Sequence, residues 1–219
     1  SAFDRFRDDK ASWDRFNTLL YWPHGQLQDV RIANPSEREG VVSSLGIRNS
    51  LQEAMQGNKD EAASVPYFKI EGLAALPGNR LIFGVRERGQ SFKDFTYTVT
   101  LIEATYVINK GVLTVNPAMR EIYRFQPGGS GELPVETGLS SLFYDPLKQR
   151  LFMLTSFETA ERPDALGAFL WVLSLKELDE RQKPHLFLDA ATTKPLFFPH
   201  KGEAISMIDA QRMVVLHDD

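Results

Sequence analysis

Glu71-Gly72-Leu73-Ala74-Ala75-Leu76, a Pro77-Gly78 turn, then Asn79-Arg80-Leu81-Ile82-Phe83: this hairpin decides the fold, because it returns. Gln149-Arg150-Leu151-Phe152-Met153 and Gln211-Arg212-Met213-Val214-Val215 match its second strand, each with an amide residue and an arginine before a β-rich run. Glu203-Ala204-Ile205-Ser206-Met207-Ile208 matches its first strand, and in both copies the glutamate lies nine residues before the arginine. The middle copy reads Thr137-Gly138-Leu139-Ser140-Ser141-Leu142, with a longer turn through Asp145-Pro146. A unit recurring at a fixed spacing is the signature of a repeat architecture. Because the first strand is apolar on both faces, each unit is expected to be buried on both sides. The reading is all-β in the main: a β-propeller, or part of one, made of repeated antiparallel sheets.

Working outward, repeat units start near residues 70, 137 and 203, and residues 1–64 form a divergent N-terminal part of a single domain spanning 1–219. Phe95–Ile108, Val112–Val115 and Glu121–Phe125 extend the first unit as strands, with Asn109-Lys110-Gly111 as a hairpin turn. Phe169–Leu175 and Leu186–Leu188 extend the second, and Glu158–Leu166 reads as an insertion. In the N-terminal part, Phe16–Ala33 reads as a hairpin that would pair with the last unit. Residues 48–56 read as a short helix capped by Asn49 or Ser50 and ended by Gly57, before a polar loop over 58–64. Two full units and a half are too few to close a ring of four or more blades. Either the N-terminal part hides a divergent blade, or the chain is a fragment, or the sheet is open and closes through a partner or a second copy.

The composition narrows function. A formal net charge of -4 and a sequence pI near 5.6 argue against a nucleic-acid binder. There are no cysteines, so disulfides, thiolate metal sites and cysteine nucleophiles are excluded. No run approaches the ~18–20 apolar residues of a membrane span. No secretory signal is seen, and a cysteine-free chain suits the cytoplasm or the periplasm and exterior equally.

Ile70-Glu71-Gly72-Leu73-Ala74-Ala75-Leu76 with Asn79-Arg80-Leu81, and the ending Met213-Val214-Val215-Leu216-His217-Asp218-Asp219, resemble blade openings and a late strand of a bacterial propeller family of unknown function. That family neighbours the esterase-like phytases. The resemblance covers roughly residues 65–219. It implies a propeller and phosphoester or ester chemistry, and supplies no catalytic residues.

The repeat also places a site. In a propeller, the start of the inner strand and the end of the second strand share one face beside the central channel. Glu71, Thr137 and Glu203 are the first set; Arg86, Ser156 and Asp218 the second, followed by Glu87, Phe157 and Asp219. The expected channel mouth gathers Glu71, Glu203, Asp218, Asp219 and Arg86. Clustered carboxylates raise a pKa or recruit a cation, and an oxygen-rich set suits Ca2+ or Mg2+. Glu71, Glu203, Asp218 and Asp219 would ligate the metal, with Glu71, Glu203 and Arg86 acting on a bound anionic ester. The alternatives are that Arg86 only pairs with a neighbouring glutamate, and that the protein is a non-catalytic scaffold whose loops 86–95 and 157–168 hold a ligand or protein. His24, His185, His200 and His217 lack metal spacing, and no serine sits in a G-x-S-x-G elbow. Residues 128–131 open no helix that would cradle a phosphate, and Trp13, Trp22 and Trp171 read as core or lid residues.

Overall fold

A computed structural model describes Phe3 and residues 6–56, 65–128, 131–159 and 162–218, without side-chain detail for 159 and 162–164. The N-terminal part holds a 3-10 helix (Ala11–Phe16) and two small ladders. β1 (Leu20–Tyr21) pairs with β2 (Arg31–Ile32), and β3 (Ser36–Arg38) with β4 (Val41–Ser43). The hairpin expected at Phe16–Ala33 is therefore present as β1–β2, but it forms its own sheet and does not pair with the last unit. Helix α1 (Leu45–Gln56) follows, starting before the expected residue 48. Ser44 explains the early start. Its hydroxyl donates to Ala33 O and accepts from Leu19 N, fixing the turn, while its carbonyl accepts from Ile47 N at 2.8 Å and opens the helix. Asn49 and Ser50 lie inside the helix, and Gly57 and the 58–64 loop fall outside the described residues.

Three antiparallel sheets then follow in chain order. The first consists of β5 (Tyr67–Leu76), β6 (Arg80–Ser91), β7 (Asp94–Asn109), β8 (Val112–Val115) and β9 (Arg120–Phe125), with both β8 and β9 on β7. The second holds β10 (Gly138–Asp145), β11 (Arg150–Thr159) and β12 (Arg162–Ser174), then the short helix α2 (Leu175–Asp179). β13 (His185–Leu186) and β14 (Phe197–Phe198) both pair with β12. The third is the ladder β15 (Gly202–Met207) with β16 (Met213–His217). Glu158–Leu166 is not a separate insertion: β11 and β12 run on as a ladder through Glu158↔Leu166 and Thr159↔Arg162. The described sheets close no barrel and no propeller ring. Among the described residues no helix is long and apolar enough to cross a membrane.

Alternation along the strands divides the core between sheet faces. Ala74, Ile82, Val99 and Leu101 of the first sheet meet Leu142, Leu151, Met153 and Trp171 of the second. Facing the other way, Phe152, Leu154 and Leu170 of the second sheet meet Ile205 of the third. Phe68, Phe83 and Ile102, on the far face of the first sheet, pack on Ile47, Leu51 and Met55 of α1. β10 thus lies between β5 and β15. β6 and β11 are buried on both faces, which is why they read as nearly continuous apolar runs. β5, expected to be buried on both sides, instead alternates: Ala74 and Leu76 are buried while Leu73 is 45% exposed and Ala75 is exposed.

The ladders define the repeat more finely than the letters. Each first strand carries a bulge, and each falls at the same distance from its turn. Glu71 is skipped between Ile70↔Val85 and Gly72↔Gly84. Ser140 is skipped between Leu139↔Thr155 and Ser141↔Leu154, and Glu203 between Gly202↔His217 and Ala204↔Leu216. The residue ahead of the repeat arginine is left-handed in two copies, at Asn79 (φ 57) and Gln149 (φ 49). The middle counterpart of Glu71 and Glu203 is therefore Ser140, not Thr137. The bulge sets the register, and a text alignment cannot see it.

Candidate functional site

Arg86 is the centre of the expected site, and it is 1% exposed. The ladder slips at Arg86 against both neighbours, from Ile70↔Val85 to Lys69↔Glu87 and from Val85↔Thr100 to Glu87↔Tyr97. A bulge re-aims the side chain it carries. Here Nη1 crosses to the second sheet and donates to Ser140 Oγ at 2.7 Å and Ser156 Oγ at 2.9 Å. Those two hydroxyls also bond each other at 2.5 Å. On its own sheet Arg86 lies 3.4 Å from Glu87 and 3.7 Å from Glu71, with its guanidinium 5.0 Å from the Tyr97 ring centroid. Tyr67 Oη donates to Glu87 at 2.6 Å, and Lys69 Nζ is 2.7 Å from Glu71. Two cations and two carboxylates thus balance where the first two sheets meet. Thr137, fully buried, has no hydrogen-bond partner for its hydroxyl among the described residues.

Glu203 stands apart from this cluster, in the third sheet. Lys201 lies 3.0 Å from it and 3.3 Å from Glu158. Burial alone would lower the Lys201 ammonium, but bonding to Glu203 and the pull of Glu158 outweigh it and hold it above its ordinary value. The spacing repeats: Lys69 and Lys201 each stand two residues before a bulged glutamate. Asp218 is exposed and donates its backbone N–H to Lys201 O at 3.1 Å; Asp219 falls outside the described residues. Ser156 was expected at a ring position, but neither the lysines nor Ser140 entered the site reading, although the Lys-x-Glu spacing was legible.

Among the described residues, Glu71, Glu203 and Asp218 do not converge as a Ca2+ or Mg2+ centre would require; Asp219 lies outside them. Such an ion needs several oxygens converging on one point. Glu71 and Glu203 are instead each engaged by an ammonium, Glu71 also by Arg86, and among the described residues no three His, Asp or Glu side chains come together as a metal set. Arg86 already spends its donors inside the protein, so it offers little to an anionic ester.

A cleft of about 720 Å3 lies elsewhere, between β9 and the turn after α2. Residues 121–126 form one wall, and residues 181–184 with Glu132 the other. Tyr123 Oη donates to Gln182 O at 2.7 Å and ties the walls together. Burial, with Glu177 nearby, pushes the Tyr123 hydroxyl up to about 12, so it stays a donor at neutral pH. The turn is set by α2, whose Ser174 and Glu177 form a reciprocal capping box, with His185 Nε2 2.8 Å from Glu177.

The Ser174 hydrogen bonds and the His185 contact draw the Glu177 carboxyl down from 4.5 to about 2. A carboxylate lowered on folding contributes stability that is complete above its unfolded value and is lost as pH falls through the folded one. Thermal melts should therefore show an acid-side loss between about pH 4.5 and 2 that is smaller in Glu177→Gln.

Compared with protein-family models, curated proteins and solved structures, the chain matches none.

Proposed function

We propose that this protein is a non-catalytic, protein-binding scaffold, and that its three sheets are successive blades of an open propeller. The observation that carries this reading is the saturation of the expected catalytic centre: Arg86 is buried and spent on Ser140, Ser156, Glu71 and Glu87. A general acid, base or anion clamp must reach substrate, and this arginine reaches the neighbouring sheet. The same contact supports the blade reading. The residue six positions after the repeat arginine of one sheet locks into the bulge of the next, as expected for units stacked in order. The likeness of Glu71–Leu81 to propeller blade openings points the same way.

4-Nitrophenyl phosphate and 4-nitrophenyl acetate, offered with millimolar Ca2+ or Mg2+, should show no turnover above background. The melting temperature should be the same with and without the metal. Turnover, or a metal-dependent rise in melting temperature, that Glu203→Gln abolishes would instead establish the metal-assisted hydrolase.

A further inference from the structure

Within the scaffold reading, we infer that the cleft beside β9 is a slot for one extended peptide segment of a partner protein, carrying an acidic side chain and joining the first sheet as an added strand. β9 is an edge: it pairs with β7, and among the described residues no other strand pairs with it. Consecutive residues 121–126 all line the cleft. Neighbouring residues of a strand point to opposite faces, so both sets can border one space only along the strand's edge. That edge carries backbone donors and acceptors, the contacts used when a peptide extends a sheet.

The size agrees. Five strand residues span ~17 Å, which gives the 720 Å3 space a cross-section of about 40 Å2. One strand occupies roughly 48 Å2, its ~4.8 Å spacing times the ~10 Å thickness of a sheet. On the far wall, Arg181 and Gln182 donate their N–H groups within their own turn, to Leu178 O and Glu177 O, and Pro184 has none to donate.

Charge selects the occupant. Arg124 pairs with Glu121 and Lys183 with Glu132 across the lining. Arg181 is exposed on the facing turn and has no carboxylate partner among the described residues. A peptide carboxylate held beside an added strand would meet it, and arginine binds carboxylates in bidentate fashion.

The test is selection from a display library of random dodecapeptides on the intact protein. Expected is a family of β-branched or aromatic residues flanking an Asp or Glu. The synthesised winner should bind at least tenfold more weakly to Arg181→Glu. It should also bind at least tenfold more weakly once alternate backbone nitrogens are methylated, and should shift the amide resonances of residues 120–125. Arg181 is exposed, so the variant is expected to fold. The slot is overturned if no family emerges, if binding ignores both changes, or if inorganic phosphate alone displaces the peptide, marking a plain anion pocket. Any of these with no ester turnover removes the slot and leaves the scaffold; ester turnover removes the scaffold itself.

Discussion

Arg86→Met should destabilise the protein by about 3–5 kcal/mol, the usual cost of removing one partner from a buried ion pair. For a chain of this size that is a fall in melting temperature of roughly 6–20 °C. Methionine keeps the apolar stem of the side chain, so what is lost is mainly the guanidinium charge and its hydrogen bonds. Glu71 and Glu87, both 9% exposed at the side chain, would lose their shared counter-ion, and Ser140 and Ser156 would lose a donor. Lys69 would still hold Glu71, but nothing comparable remains beside Glu87 except the Tyr67 hydroxyl. Neutralising both carboxylates together with the arginine should cost less than removing the arginine alone, since buried ion groups are often replaced by neutral ones with little penalty, and the remaining Lys69, with its side chain 22% exposed, keeps contact with water. The triple variant Arg86→Met, Glu71→Gln, Glu87→Gln should therefore recover much of the lost melting temperature. A catalytic Arg86 predicts the reverse pattern: lost turnover in both variants and little change in stability in either. Urea denaturation of the three proteins side by side decides between them.

Much of this fold was legible in the letters, for a physical reason. Strands buried on both faces must be apolar throughout, so Leu81–Val85 and Leu151–Leu154 stand out, and the turns before them follow; Leu73–Leu76 reads the same way although Leu73 and Ala75 are exposed. α2 was legible too, since Ser174-Leu175-Lys176-Glu177 is a capping-box sequence, yet the strand reading ran through to Leu175. The start of α1 was not, because Ser44 is fixed by Leu19 and Ala33, which are remote in sequence. For the site, Arg86 and Glu71 do come together, because they belong to one hairpin. Glu203 was expected beside them but is engaged in the third sheet with Lys201 and Glu158, and neither text nor spacing reports which sheet edge meets which. The cleft was beyond reach for the same reason: β9 and residues 181–184 meet only through tertiary packing.

Gly84→Leu would make the first copy read like the others, which have Leu154 and Leu216 at the equivalent place, yet it should destabilise the protein by about 3 kcal/mol, the upper part of the range for overpacking. The reason is a swap of large and small residues between interfaces. Where the first sheet meets the second, a Cβ on Gly84 would lie 2.2 Å from Leu139 Cδ2. At the next interface the roles reverse: Leu154 fills the space, and a Cβ on Gly202 would lie 2.6 Å from Leu154 Cδ2. By bulge register, Gly84 corresponds to Leu154 and Leu139 to Gly202. Each interface thus places one leucine against one glycine, with the leucine on opposite partners. Gly84→Leu forces two leucines into the space of one, while Leu139→Gly leaves a cavity at a residue with no exposure and should cost about 2–5 kcal/mol, more if strand propensity also suffers. The double variant rebuilds the second interface's pattern in the first. Its melting temperature should exceed that of either single variant, with a coupling energy of about 1–3 kcal/mol in a double-mutant cycle. Strict additivity would mean that the two residues do not share one space and that the bulge register does not relate the sheets. Gly72 makes the test demanding, because its own Cβ position is 2.8 Å from Leu139 Cδ2, so rescue requires the new leucine to enter from the Gly84 side alone. Rescue would show that the sheets are related by a common packing rule as well as by a common hairpin.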